Sequence, residues 1–214
     1  MDAGPGTWRN LVRFADFRSL SGILLSHSHP DHTTDVFMGY HARLFSGREP
    51  LAPIPLWGPQ ETLERVAAFA PKIGEALELR PCAPGVASDL AGGRVAFFEM
   101  AHPVPTLGMR VEAEGAVLAY SGDTGPAGDV HSLAKDADVF ICEATLQASD
   151  GPWEGHMLAS QAGRAAVEAG AKKLVLTHLP PERDARLSLF EAQDEAGGTE
   201  VLLAQDGAYV GVGR

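Results

Sequence analysis

The chain has 214 residues, which suits one domain with a sizeable buried core. Its 45% hydrophobic and 21% charged residues are the balance of a globular protein, and no apolar run approaches the ~20 residues of a membrane span. No basic-plus-apolar leader opens the chain, so a cytoplasmic protein without membrane contact is expected. Seventeen basic against 28 acidic residues leave a net charge of −11, which argues against a general nucleic-acid coat protein while leaving room for a local basic patch. Cys82 and Cys142 are far apart and lack metal-type spacing, so no disulfide framework is expected.

Met1-Asp2-Ala3-Gly4-Pro5-Gly6 is a turn signal of the kind that normally follows a strand, although almost nothing precedes it here. Gly22 to Ser26 reads as a buried strand, Thr33 to Phe45 as a helix, and Ile54 to Trp57 as a short strand. Pro59 opens a helix through about Phe69. Leu77 to Arg80, Arg94 to Met100, Leu107 to Ala113 and Val117 to Ser121 read as strands, the last two joined by a hairpin-like turn at Glu114-Gly115. Val139 to Cys142 is a further buried strand, and Leu158 to Glu168 a helix ended by Gly170. Leu174 to Thr177 is a strand, Ala185 to Glu195 a helix, and Val201 to Ala204 and Tyr209 to Val212 are closing strands. Short apolar runs alternating with helical stretches predict an α/β or α+β protein, taken as one domain over residues 1–214.

The histidines carry the chemistry. Ser26-His27-Ser28-His29-Pro30-Asp31-His32 directly follows a predicted strand. Residues two apart on an extended backbone face the same side, so His27 and His29 are able to grip one metal ion. Pro30 keeps His29 extended and suits the first turn of a helix, which turns Asp31 and His32 toward a second ion. Imidazole and carboxylate suit zinc, and also iron or manganese. His102, Asp123 (within Ser121-Gly122-Asp123-Thr124-Gly125) and His178 each follow a predicted strand, and strand ends converge on one rim of a sheet. Together these residues form two ligand sets, His27, His29 and His102 for one ion and Asp31, His32 and His178 for the other, with Asp123 bridging.

This pattern of His-x-His-x-Asp-His, a lone His, Gly-Asp-Thr and a final Thr-His resembles the metallo-β-lactamase fold hydrolases, and within them the ribonuclease Z-like phosphodiesterases. His102-Pro103-Val104-Pro105-Thr106-Leu107-Gly108-Met109-Arg110, Cys142-Glu143-Ala144-Thr145 and Gly155-His156 are similar to further motifs of that branch. The resemblance covers nearly the whole chain and implies a four-layer αββα sandwich. Asp2-Ala3-Gly4 resembles the family's Asp-x-Gly turn with its preceding strands absent, so an N-terminally shortened version is expected. The branch's ribonucleases carry a tRNA-clamping arm between the third histidine and the bridging aspartate. Only 20 residues separate His102 from Asp123 here, which leaves no room for an arm and favours small substrates, as in the armless cyclic-nucleotide phosphodiesterases.

The resemblance implies a hydrolase with two divalent ions, zinc first and Mn2+ or Fe2+ as alternatives, that attacks a phosphodiester with a metal-bridging hydroxide. Asp31 would orient or deprotonate the nucleophile, His156 would protonate the leaving group, and Glu143 would hold His156 in the right tautomer. Three alternatives stand beside it: a tRNA 3′-end endonuclease with RNA as partner, a thioester or lactone hydrolase of the same fold, and a metal-binding protein without turnover. A homodimer is the assembly the resemblance suggests. His41 and His131 read as surface or core residues, and Arg9, Arg13 and Arg18 as a solvated helix face. Trp8, Trp57 and Trp153 read as packing residues, with stacking on a base as the alternative for Trp153 near His156.

Overall fold

Pro59, where a helix start is predicted, is the point at which a parallel strand turns into a crossover helix. It lies in the first of the two compact units, Met1–Ala83 and Pro84 onward, that a computed structural model describes over residues 1–213. No described helix is long and apolar enough to cross a membrane.

The first unit contains α1 (Thr7–Phe14), β1 (Ile23–Leu24), α2 (Pro30–Thr33), α3 (Val36–Phe45), β2 (Ile54–Pro59), α4 (Gln60–Phe69) and β3 (Leu77–Cys82). Its three strands form a parallel sheet in chain order, Ile23 opposite Leu56 and Leu56 opposite Leu79. Parallel strands are covered on their faces by crossover helices, so they read as apolar runs rather than alternations. Leu25, Leu56 and Leu77 are accordingly buried with Val36 of α3 and Leu63 and Val66 of α4. α1 contributes no buried residue, in keeping with the solvated helix face expected for Arg9 and Arg13.

The predicted helix Thr33 to Phe45 is two helices. The Asp35 N–H donates to Ala3 O at 2.7 Å instead of to the carbonyl four residues back, and the Asp35 carboxylate accepts from Trp8 N at 2.8 Å. A tertiary contact thus takes over the backbone donor that a continuous helix needs. Gly4 allows this approach, because a Cβ there would lie 1.8 Å from Asp31 O.

The second unit contains β4 (Ala87–Leu90), β5 (Gly93–Met100), β6 (Thr106–Ala113), β7 (Ala116–Tyr120), α5 (Val130–Ala134), β8 (Val139–Glu143), α6 (Ala159–Glu168), β9 (Lys173–Thr177), α7 (Ala185–Glu195) and β10 (Glu200–Leu203). They build a seven-stranded sheet in the order β10-β9-β8-β7-β6-β5-β4, with an antiparallel β4–β7 and a parallel β7–β10. Glu114 and Gly115 both adopt positive φ (53° and 77°), the two-residue turn that matches the twist of a hairpin. The 20 residues between His102 and Asp123 are taken up mainly by β6, this turn and β7.

β5 and β7 both pair antiparallel with β6, and β8 and β9 run parallel to β7. These four strands therefore point the same way and end on one rim. The core beneath is formed by Leu133, Phe140, Leu174 and Leu176 together with the small residues Ala162, Ala166 and Ala192 of α6 and α7. At Gly163 a Cβ would lie 2.2 Å from Ala192 O, so the two helices pack backbone to backbone. Gly163→Ala is expected to destabilise the fold by about 1–3 kcal/mol, read as a fall in Tm by circular dichroism.

The predicted strand Tyr209 to Val212 is not a strand. β10 pairing ends where the Ala204 N–H donates to Leu176 O, and a turn closed by Ala208 N–H to Gln205 O follows, with Gly207 at φ 79°. The tail then runs exposed, Tyr209 at 82%, and its glycines at 211 and 213 lower its strand preference. β4 is the strand missed in the sequence, its Ala-Ser-Asp-Leu carrying no β-branched or aromatic residue.

Candidate functional site

In the first unit the chain leaves β1 through Leu25 and enters α2 at Pro30. His29 caps that helix with φ −66° and ψ 146°, the extended conformation imposed on a residue before proline. The His27 Nε2 and His29 Nδ1 atoms lie 3.0 Å apart. Zinc–nitrogen bonds of about 2.05 Å in a tetrahedron would set two ligand nitrogens roughly 3.3 Å apart, so the pair has the spacing of two donors to one ion.

Asp2 holds this cluster from behind. Its Oδ1 accepts from Ser26 N at 2.7 Å, and its Oδ2 accepts from Ser26 Oγ and from His32 Nδ1, each at 2.7 Å. With its proton on Asp2, the Ser26 hydroxyl accepts from His27 Nδ1 at 2.9 Å. Both imidazoles are thereby fixed with Nε2 as the lone-pair nitrogen, the arrangement that outer partners impose on metal-ligating histidines. Asp31 lies in the first turn of α2 with its side chain 58% exposed and its Oδ2 3.5 Å from His32 Nε2.

In the second unit the common rim carries the remaining candidates. Asp123 follows β7, Glu143 ends β8, His178 follows β9 and His102 follows β5. Asp123 is buried, its Oδ2 3.5 Å from His178 Nε2 and 3.8 Å from His102 Nε2. The His102 Nδ1–H donates to Gly155 O at 2.8 Å, again leaving Nε2 toward the aspartate. His178 adopts φ 57°, a left-handed conformation that costs of order 1–3 kcal/mol in a residue with a Cβ. Ligand atoms of Asp123, His156 and His178 lie within 4.8 Å of one another, a set able to hold a cation.

Glu143 is fully buried and organises this rim. Its Oε1 accepts from Thr124 N at 2.8 Å and from His156 Nδ1 at 2.6 Å. Its Oε2 accepts from Thr145 N at 3.1 Å and from Thr145 Oγ1 at 2.8 Å. These four donors satisfy a carboxylate that burial would otherwise make costly. The Thr145 hydroxyl, its proton on Glu143, accepts from His178 Nδ1 at 2.8 Å. Glu143 thus orients His156 directly and His178 through Thr145. The His156 ring stacks on His178 at 5.3 Å between centroids and lies 5.1 Å from that of His102.

Sequence reasoning missed Asp2 and Thr145 as site-forming residues. Asp2 lies 24 residues from Ser26 and 30 from His32, and only its Asp-x-Gly turn marked it. Thr145 was visible only as the end of a Glu-Ala-Thr run. Other singled-out residues lie apart from these clusters. The exposed His41 packs its ring on Phe45, His131 is exposed on α5, and Trp57 is buried in β2. Burial pushes the Cys82 thiol up to about 11 and the Cys142 thiol further, with the neighbouring Glu143 charge adding to the latter, so neither is a nucleophilic thiolate at neutral pH.

Residues 1–179 match the model of the β-lactamase superfamily domain. An uncharacterized protein of Mycobacterium leprae, ML1173, is 36% identical over 207 residues, 92% of this chain and 72% of that protein. The probable metallo-hydrolase YhfI of Bacillus subtilis is 30% identical over 84% of this chain and 74% of its own length. The YhfI crystal structure superposes with a TM-score of 0.87 at 27% identity, covering 99% of this chain and 86% of that one. A ribonuclease Z of Halobacterium salinarum is 28% identical over 96% of this chain and 85% of its own length, in an alignment of 264 residues.

Proposed function

This chain belongs to the β-lactamase superfamily and is a metal-dependent hydrolase of that fold, and from this premise we propose that it cleaves small phosphodiesters, nucleotide-type or cyclic, with two divalent metal ions. The proposed ligands are His27, His29 and His102 for one ion and Asp31, His32 and His178 for the other, with Asp123 shared. Zinc suits these nitrogen and oxygen donors best, and manganese and iron are the alternatives. The donor chemistry fits: in His27, His32, His102 and His178 an outer partner engages Nδ1 and leaves Nε2 for a ligand. When bound, the two ions would neutralise phosphodiester charge and lower the pKa of water.

The observation that carries the phosphodiester reading is the His156 Nδ1 to Glu143 Oε1 hydrogen bond of 2.6 Å on the rim that bears Asp123 and His178. A carboxylate that holds Nδ1–H leaves Nε2 to carry the proton that the departing alkoxide needs. Thioesters and lactones leave as weaker bases or tethered groups and make less use of such an acid. Asp31, exposed at the helix start, is the proposed group that orients the attacking water and accepts its proton.

Small substrates are favoured over tRNA by the 20 residues between His102 and Asp123, which β6, a two-residue turn and β7 mainly take up. The alignment with the halobacterial ribonuclease Z is longer than this chain, so that protein carries insertions relative to it. The net charge of −11 also opposes a long polyanion.

The test is hydrolysis of bis(p-nitrophenyl) phosphate by the purified chain with added zinc or manganese and after chelation. Metal-dependent release of p-nitrophenolate supports the reading; a folded, metal-loaded protein that releases none overturns it. Zinc at ~1,000 times its Kd is expected to stabilise the fold by about 4 kcal/mol, because it binds the native state alone. A Tm unchanged by zinc would contradict the assigned sites. Thr145→Val is expected to weaken zinc binding about 10- to 100-fold by releasing His178 Nδ1, with Thr145→Ser retaining most of it. Competition with a chromogenic chelator reads that loss independently of turnover.

A further inference from the structure

A cavity of about 470 Å³ opens beside the second unit's histidines, and His102 is one of its walls. The others are Ala101, Pro103, Pro126, Ala127 and Trp153, with Glu154 and the Gly155 backbone at the side. The lining contains no lysine or arginine. Its size is that of an ordinary small-ligand site, and its surface is mainly apolar.

The walls are built rather than incidental. A Cβ at Gly125 would lie 1.7 Å from Glu154 O, so the Asp123 loop and the 152–156 segment are in backbone contact. A Cβ at Gly155 would lie 2.6 Å from the Trp153 indole, which therefore packs directly on the Gly155 backbone. Trp153 pairs with His156 in an isolated antiparallel bridge, and their ring centroids are 5.2 Å apart. The indole is thus fixed from below and beside, yet it remains 49% exposed. A large apolar ring held so firmly with so much of its surface open, next to the proposed general acid, is a stacking platform.

We propose that this cavity is the subsite for a planar heteroaromatic ring, a nucleobase, on the alcohol arm of the substrate, with Trp153 stacking on the ring. The absence of lysine and arginine in the lining sets it against a second phosphate. His102 lines the subsite and Trp153 packs beside His156, so a ring seated there brings the phosphate attached to its sugar toward Asp123 and His178. This deepens the phosphodiesterase reading above and rests on it for the position of the phosphate.

The test is calorimetric binding of two probes to the metal-loaded protein, adenosine 5′-monophosphate and ribose 5-phosphate, which share a phosphorylated sugar and differ in the base. The nucleotide is expected to bind at least about tenfold more tightly. Trp153→Ala should erase that difference, and Trp153→Phe should keep most of it. Equal affinity for the two probes, or a difference that survives Trp153→Ala in a protein of unchanged metal content, overturns the subsite. The contrast needs no turnover. A protein that shows it but hydrolyses no phosphodiester refutes the proposed reaction and keeps the subsite, whereas hydrolysis without the contrast refutes the subsite alone.

Discussion

Asp123→Ala is expected to lower kcat/KM on phosphodiesters by about a thousandfold or more and to remove bound metal. The side chain is buried, and its Oδ2 lies 3.5 Å from His178 Nε2 and 3.8 Å from His102 Nε2. As the proposed shared ligand, it is the residue whose loss would weaken both ions together. Charge stabilisation by such ions is worth several kcal/mol in the transition state, and each 1.36 kcal/mol is a factor of ten. The measurement is paired: elemental analysis for metal per chain, and hydrolysis of bis(p-nitrophenyl) phosphate. A variant that keeps two ions per chain and most of its rate would remove Asp123 from the bridging role. Asp123→Asn keeps the volume, so a comparable loss there assigns the effect to charge and ligation rather than packing.

His156→Ala is expected to show a loss that depends on the leaving group. A nucleoside or alkyl alkoxide is a strong base and leaves with a proton, so removing the acid should cost about 10²–10⁴ in kcat. p-Nitrophenolate leaves without one, so the same variant should lose less than about tenfold on bis(p-nitrophenyl) phosphate. Glu143→Gln should show the same leaving-group signature more weakly, since the amide still accepts from His156 Nδ1 but no longer stabilises a charged imidazole. An equal loss on both substrates would contradict the acid role. Because Asp123, His156 and His178 are also able to hold a cation by themselves, that outcome accompanied by lost metal would make His156 a ligand instead.

Much of the candidate site was legible because its chemistry is local. His27, His29, Asp31 and His32 lie within six residues, and the extended backbone ahead of Pro30 sets their facing without help from the rest of the chain. Likewise the Glu114-Gly115 turn, the Pro59 helix start and the Gly170 stop depend on the φ preferences of single residues, and the structure places turn, helix start and stop there. The second cluster was legible for a different reason. Asp123, Glu143 and His178 each end an apolar run, and runs that become parallel strands deliver their ends to one rim.

What those residues do to one another was decided only by tertiary structure. The Asp2 carboxylate between Ser26 and His32, and the Thr145 hydroxyl between Glu143 and His178, join positions up to 33 residues apart. Such hydrogen bonds depend on the path of the whole backbone, which no spacing rule encodes. The same holds where the local reading failed. α2 and α3 are separate because Ala3 takes the Asp35 N–H, and 209–212 is no strand because the turn at Gly207 carries it out of the sheet. Trp153 read as a packing residue with base stacking as the alternative, and the contact that lays its half-exposed ring on the Gly155 backbone is visible only in the tertiary structure. Residue type and local spacing determined which groups are candidates for the chemistry, while burial and long-range hydrogen bonding determined which nitrogen His27, His32, His102 and His178 present.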